Sequence, residues 1–291
     1  MKRWHIITFG VVAIVGLLFL NREPAMMRLL DARTPKSSLV AHQEFIAEGI
    51  EVHLPSVGEA PFPVVLQFHG CAGIRQPFQN QWADVANQAG YAAMIVDSMG
   101  PRRLTRQGAL ETVCAGKKLL GQERAGDVLA AVKLAEADPR LDADHLVIAA
   151  WSHGAWSIMD YLTMDMKFQW PAGIRREAAE TSPVDGAILF YPYCGAGTLS
   201  RFRVWTQSPP VLAIIAGADT IVDANLCINY FEQRRRKNEP VDLVVYPEAQ
   251  HAFDDPFLEP EWIHWYNEEY LIDAKARYEE FLINLPDAPA P

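Results

Sequence analysis

Between Ile50 and Tyr246, short apolar runs bounded by turn residues alternate with longer stretches in which apolar positions recur at helical spacing. Ile50-Glu51-Val52-His53-Leu54 has a period of two, the mark of a half-buried strand. Val64 to Phe68, Tyr91 to Val96, His145 to Ala150, Gly186 to Phe190, Val211 to Ala216 and Val241 to Tyr246 are mostly continuous apolar runs, as strands covered on both faces require. Between them, Gly121 to Ala137 places Ala125, Val128, Leu129 and Val132 on one helical face and leaves Glu123, Arg124, Asp127 and Lys133 on the others. Tyr270, Leu271, Ala274, Tyr278, Phe281 and Leu282 form a closing helical stripe that Pro286 ends. This alternation predicts an α/β fold, a doubly wound and mostly parallel sheet with helices on both faces. Ligands in such sheets bind at the carboxyl ends of the strands.

The amino terminus follows a different pattern. Lys2 and Arg3 precede an apolar run from Ile6 to Leu20, inside an uncharged stretch from Trp4 to Asn21. Eighteen helical residues span about 27 Å at a 1.5 Å rise, close to a bilayer core. The flank after Leu20 lacks the small-residue pattern of a cleavage site, so residues 1–22 are read as a retained membrane anchor, with a removed signal peptide as the alternative. The leading positive charges stay in the cytoplasm, which places the rest of the chain outside the inner membrane, in the periplasm, or secreted if the segment is cleaved. Residues 23–39 mix Pro, Arg, Lys and Ser without a period and read as a tether; residues 40–291 form the domain.

Composition narrows the function. The 291 residues carry a formal charge of −10, which repels polyanions and excludes nucleic acid as a partner. Four cysteines, Cys71, Cys114, Cys194 and Cys227, admit three disulfide pairings, and the sequence does not choose among them or exclude buried free thiols. No C-x-x-C occurs, and His5, His42, His53, His145 and His264 lack ligand spacing, so no metal is implied.

The chemistry lies at strand ends. After His145 to Ala150 comes Trp151-Ser152-His153-Gly154-Ala155 and then a helical stretch, which approximates the G-x-S-x-G nucleophile elbow with Ala150 in place of the first glycine. A serine hydroxyl needs a base, and the base needs an orienting acid. Asp219 follows the apolar run Val211 to Ala216, and His251 follows Val241 to Tyr246. The order Ser152, Asp219, His251 is that of the α/β-hydrolases. Asp223 is a second candidate for the acid. Oxyanion donors are expected from the backbone amides of Cys71, in the small-residue loop His69-Gly70-Cys71-Ala72-Gly73, and of His153. Trp151, Tyr191 and Phe253 are candidate substrate contacts, and Trp156, Tyr193 and Trp205 lie near the same positions. The stretches Met99 to Leu119 and Thr163 to Pro183 are candidate caps over the pocket.

The chain resembles the dienelactone hydrolase family of α/β-hydrolases, and in particular its exported branch. The resemblance rests on His69-Gly70-Cys71-Ala72-Gly73, Val96-Asp97-Ser98-Met99-Gly100-Pro101-Arg102, Trp151-Ser152-His153-Gly154, Tyr191-Pro192-Tyr193-Cys194-Gly195 and Tyr246-Pro247-Glu248-Ala249-Gln250-His251-Ala252-Phe253-Asp254, and runs from about residue 45 to the end. It implies the α/β-hydrolase fold and the same triad of Ser152, Asp219 and His251. One departure is that founding members carry cysteine at the elbow, where this chain has serine. The expected activity is hydrolysis of a small carboxylic ester or lactone without a cofactor. The competing expectation is a binding protein that keeps the fold without turnover, motivated by Ala150 and Ala155. A peptidase of this fold would need a larger cap or propeller, for which the length leaves no room.

Overall fold

The computed structural model describes residues 34–167, 169–176 and 182–286. The anchor assigned to residues 1–22 and most of the tether lie outside the described residues. Among the described residues, no helix is long and apolar enough to cross a membrane.

The elements are α1 (Leu39–Ala47), β1 (Ile50–His53), β2 (Phe62–Phe68), α2 (Gln76–Gln88), β3 (Ala92–Val96), α3 (Gly121–Ala137), β4 (Leu141–Trp151), α4 (His153–Tyr161), β5 (Gly186–Phe190), β6 (Val211–Ala216), α5 (Ala224–Arg236), β7 (Val241–Tyr246) and α6 (Glu268–Ile283). The strands form one sheet of seven in the order β1-β3-β2-β4-β5-β6-β7. Every neighbouring pair is parallel except β1 with β3. This is the α/β-hydrolase architecture.

Alternation along the strands sorts the core into two layers. Val64, Leu66 and Phe68 of β2 face α1, α3, α4 and α5, whereas Val65 faces α2 and α6. The central strands are buried residue after residue, as their continuous apolar runs anticipate. β7 departs from that expectation. As an edge strand it buries Val241 and Tyr246 but exposes Asp242 and Val245. Helix starts are set by local chemistry: Asn267 caps α6 by accepting from the Tyr270 amide, with Glu268 and Glu269 in the first turn to complement the helix dipole.

Two further sequence expectations need correction. The predicted boundaries of α3 hold, but Arg124 and Asp127, placed away from its buried face, are fully buried. They are tolerated because Asp127 accepts two hydrogen bonds from Arg102, at 2.8 and 3.0 Å, and contacts His42 at 2.8 Å, while Arg124 donates to Ser98 Oγ at 3.0 Å. Also, among the described residues of the segment Thr163 to Pro183, none lines the cavity at the strand ends. Those residues pack against α3 through the Ala172 amide and Gln122 carbonyl, and pair with the chain near Ser37. The Ser37 amide donates to the Gly173 carbonyl at 2.9 Å and Thr34 Oγ1 to Glu123 at 3.0 Å, so the residues just before α1 are fastened to the fold.

One contact sets the geometry of the centre. A Cβ at Gly154, in the first turn of α4, would lie 2.4 Å from the Phe68 carbonyl oxygen and 2.7 Å from that of His69. Only glycine lets α4 approach the end of β2 this closely. Gly154→Ala is therefore expected to destabilise the fold by about 3 kcal/mol through overpacking against backbone, read as a lowered thermal midpoint. An unchanged midpoint would contradict this account of the packing.

Candidate active site

β4 ends at Trp151, and Ser152 turns the chain into α4 with φ 53° and ψ −116°. A non-glycine residue at positive φ is strained and persists only where the surroundings hold it. Here the Ser152 amide donates to the Phe190 carbonyl at 2.9 Å, and the Ser152 carbonyl accepts from the Trp156 amide at 3.0 Å. Ala150, where the elbow motif has glycine, is fully buried in the core, so its methyl group fits.

The loops after β6 and β7 are stitched together. The Gly217 amide donates to the Tyr246 carbonyl at 2.8 Å and the Ala218 amide to the Ala249 carbonyl at 2.9 Å. A Cβ at Gly217 would sit 2.9 Å from Pro247 backbone atoms, so this approach too requires glycine. The stitching brings Asp219 Oδ2 within 2.6 Å of His251 Nδ1, and His251 Nε2 lies 2.9 Å from Ser152 Oγ. Asp219 Oδ1 is fixed by the amides of Ile221 and Val222 at 2.8 and 3.0 Å. A carboxylate only accepts, so His251 carries its proton on Nδ1 and turns the Nε2 lone pair to the serine. Asp223, the other candidate acid, instead caps α5 by accepting from the Asn225 amide.

Of the two amides expected to serve an oxyanion, one belongs to the residue after the serine and the other to the loop after β2. His153 begins α4, where the first-turn amides have no intrahelical acceptor. Cys71 follows Gly70, at which a Cβ would lie 3.6 Å from Ser152 Cβ. His69 Nε2 accepts from the Ser98 amide at 3.1 Å, which leaves the proton on Nδ1 to donate to the Gly70 carbonyl at 2.6 Å. That bond fixes the plane of the Gly70–Cys71 peptide, whose N–H points away from the anchored carbonyl. Burial, aided by the Arg124 charge, lowers the pKa of His69 and holds that of His153 well below the usual imidazole value. The neutral His69 ring therefore supports the Gly70–Cys71 peptide, whereas the His153 ring meets Arg124 Nη1 at 3.2 Å.

The serine opens into a cavity of about 640 Å³. Trp151 and Tyr191 line it, as expected. Phe253 does not: it is fully buried, packed edge-on against Tyr191, Tyr246 and Tyr270. Trp156, Tyr193 and Trp205 are also absent from the wall. The segment Met99 to Leu119 supplies Arg106, Gln107, Leu110 and Cys114 to the wall, in keeping with its reading as a cap. Cys114 is disulfide-bonded to Cys71, and Cys194 to Cys227.

Two contributors escaped the sequence reading. Residues between Asp255 and Trp265 form a further wall, including Leu258, Glu259, Glu261 and Trp262. They show neither helical nor strand periodicity, so no pattern marks them. Beneath the site, Asp254 accepts from Trp151 Nε1 at 3.0 Å and Tyr191 Oη at 2.8 Å, holding both wall aromatics. Its position three residues after His251 was the only available signal.

A seven-stranded α/β sheet with a serine at a strained strand-to-helix turn and His and Asp on the following loops defines the α/β-hydrolase class. Residues 173–284 match the model of the Dienelactone hydrolase family, a stretch that contains Asp219 and His251 and begins after Ser152. No curated protein matches the chain. Among solved structures, the chain is similar to a thermophilic esterase from Thermogutta terrifontis, with propionate bound, at 17% identity over 83% of this chain and 91% of that one, TM-score 0.58. The same esterase has been solved phosphonylated by cyclosarin. The chain is also similar to Est1E from Butyrivibrio proteoclasticus, bound to ferulic acid, at 13% identity over 81% of this chain and 94% of that one, TM-score 0.54. A third is a protein from Klebsiella pneumoniae subsp. pneumoniae assigned as a dienelactone hydrolase, at 18% identity over 78% and 89% of the two chains, TM-score 0.57.

Burial pushes the Asp254 carboxyl up to about 7. A raised carboxyl keeps its proton in the folded state after the unfolded chain has lost it, so this contribution to stability is full at low pH and declines as pH rises through about 7. Chemical denaturation at pH 5, 7 and 9 should show Asp254→Asn gaining stability relative to the wild type as pH rises. A pH-independent difference would remove Asp254 as the source.

Proposed function

We propose that the chain is a serine hydrolase that cleaves a small carboxylic ester or lactone through an acyl-enzyme. The observation that carries this reading is the continuous Asp219–His251–Ser152 hydrogen-bonded array, at 2.6 and 2.9 Å, opening on the cavity. His251 Nε2 takes the proton of Ser152 Oγ as the oxygen attacks the substrate carbonyl. The amides of Cys71 and His153 stabilise the oxyanion, and Asp219 stabilises the imidazolium. As the tetrahedral intermediate collapses, the ester C–O bond breaks and the alcohol leaves with the proton from His251. Water then attacks the acyl carbon while His251 accepts its proton, and the carboxylic acid departs as Ser152 regains its hydrogen. Trp151 and Tyr191 contact the substrate. No step calls for a cofactor.

We place this domain, residues 40–291, outside the cytoplasm behind a membrane segment formed by residues 1–22. The leading Lys2 and Arg3, the apolar run to Leu20 and the two disulfides support that placement, since disulfides persist in oxidising compartments.

A fluorophosphonate probe, an organophosphorus reagent like those that modify the Thermogutta terrifontis esterase, is expected to label the wild type at Ser152. Ser152→Ala should abolish labelling, and both Ser152→Ala and His251→Ala should lower kcat on a chromogenic ester by at least about 10⁴-fold. Equal labelling of wild type and Ser152→Ala would overturn the assignment.

A further inference from the structure

The cavity wall carries its cations already paired. Its cations are Arg75, at the start of α2, and Arg106, on the segment between β3 and α3. Glu259 bridges them: Arg75 Nη2 lies 2.8 Å from Glu259 Oε2, and Arg106 Nε lies 2.7 Å from Glu259 Oε1. Arg75 Nη1 also pairs with Asp255, itself buried beside the wall. A third carboxylate, Glu261, lines the same cavity. With Asp255 ionised the wall holds three carboxylates against two guanidinium groups; with Asp255 protonated the two signs balance. In neither state is a guanidinium left over for a substrate carboxylate. His69 supplies no positive charge either, because burial lowers its pKa.

Most of the rest of the wall is apolar, with Gln79 and Gln107 as its uncharged amides. Phe78, Trp151, Leu258 and Trp265 lie within it, and Leu110, Ile221 and Trp262 are 42%, 57% and 41% exposed at its edge. Exposed apolar groups gathered on one concavity mark a binding surface for an apolar ligand.

From these observations we infer that the site takes esters whose acyl and alcohol groups are uncharged and apolar, that it discriminates against carboxylate-bearing esters or lactones, and that Glu259 is the specificity-determining residue. This rests on the hydrolase reading above. An incoming carboxylate would have to displace Glu259 from two guanidinium groups, and Glu259 competes at the high effective concentration of a group on the same chain. It would also meet Glu261, a like charge.

The test is a matched pair of substrates, p-nitrophenyl hexanoate and mono-p-nitrophenyl adipate, which differ in that the adipate ends its chain in a carboxylate. For the wild type, kcat/KM is expected to favour the hexanoate by at least about 100-fold. Glu259→Gln, which releases both arginines, should narrow that ratio by at least about tenfold through a lower KM for the adipate. Arg106→Gln, which removes one cation and leaves the carboxylates, should widen it. Because each ratio is taken within one variant, partial loss of folded protein cancels. A wild type that hydrolyses the adipate within about threefold of the hexanoate, or a Glu259→Gln ratio equal to that of the wild type, overturns the inference. Hydrolysis of neither ester above the Ser152→Ala background overturns the hydrolase reading instead, and the two failures are thereby distinguished.

Discussion

The whole site depends on how closely the first turn of α4 lies against the end of β2. Gly154 allows backbone to meet the Phe68 and His69 carbonyls where any side chain would force them apart. That single approach fixes two things together: the serine at the tip of the turn and the distance from it to the loop that carries Cys71. Ser152 holds a positive φ because the turn is clamped between β5, through the Phe190 carbonyl, and α4 itself. The strain is local, and the central strands of the sheet supply the rigidity that maintains it.

Electrostatics repeats the same arrangement one layer down. Arg124 is a fully buried cation, its charge aided by Asp127, and it stands behind the histidines adjoining both candidate oxyanion amides. Because the ring of His69 is neutral, it acts as a hydrogen-bonding strut to the Gly70 carbonyl rather than as a charge. His42 of α1, Asp127 of α3 and Arg102 of the cavity-wall segment are joined in one network, so the ion pairs that satisfy the buried groups also tie the wall to the helical layer. Such a network contributes specificity of arrangement more securely than it contributes net stability.

Much of this was legible in the sequence because strands buried on both faces leave continuous apolar runs, and because such sheets present chemistry where those runs stop. Ser152, Asp219 and His251 could be found by position alone for that reason, and the structure brings them into hydrogen-bonding contact. The burial of Arg124 and Asp127 could not be read, since helical periodicity reports apolar faces and is blind to a charge that is buried with its partner. Phe253 and Asp254 show the same limit. Adjacent residues after His251 suggested an aromatic contact, whereas the ring went into the core and the carboxylate took up the supporting position beneath Trp151 and Tyr191. The wall between Asp255 and Trp265 is irregular chain, shaped by its ion pairs to Arg75 and Arg106, and such contacts leave no local pattern.

The disulfide between Cys71 and Cys114 joins residues 43 positions apart. One end is the residue whose amide faces the reacting carbonyl in the proposed reaction, and the other lies in the wall that encloses the substrate. If the Cys71 amide serves the oxyanion as proposed, this covalent bond would couple recognition to rate: a substrate too bulky for that wall would draw the donor out of line as it pushed in. The fit of a distant group would thus be felt at the bond being broken, and selectivity would emerge in turnover as much as in affinity.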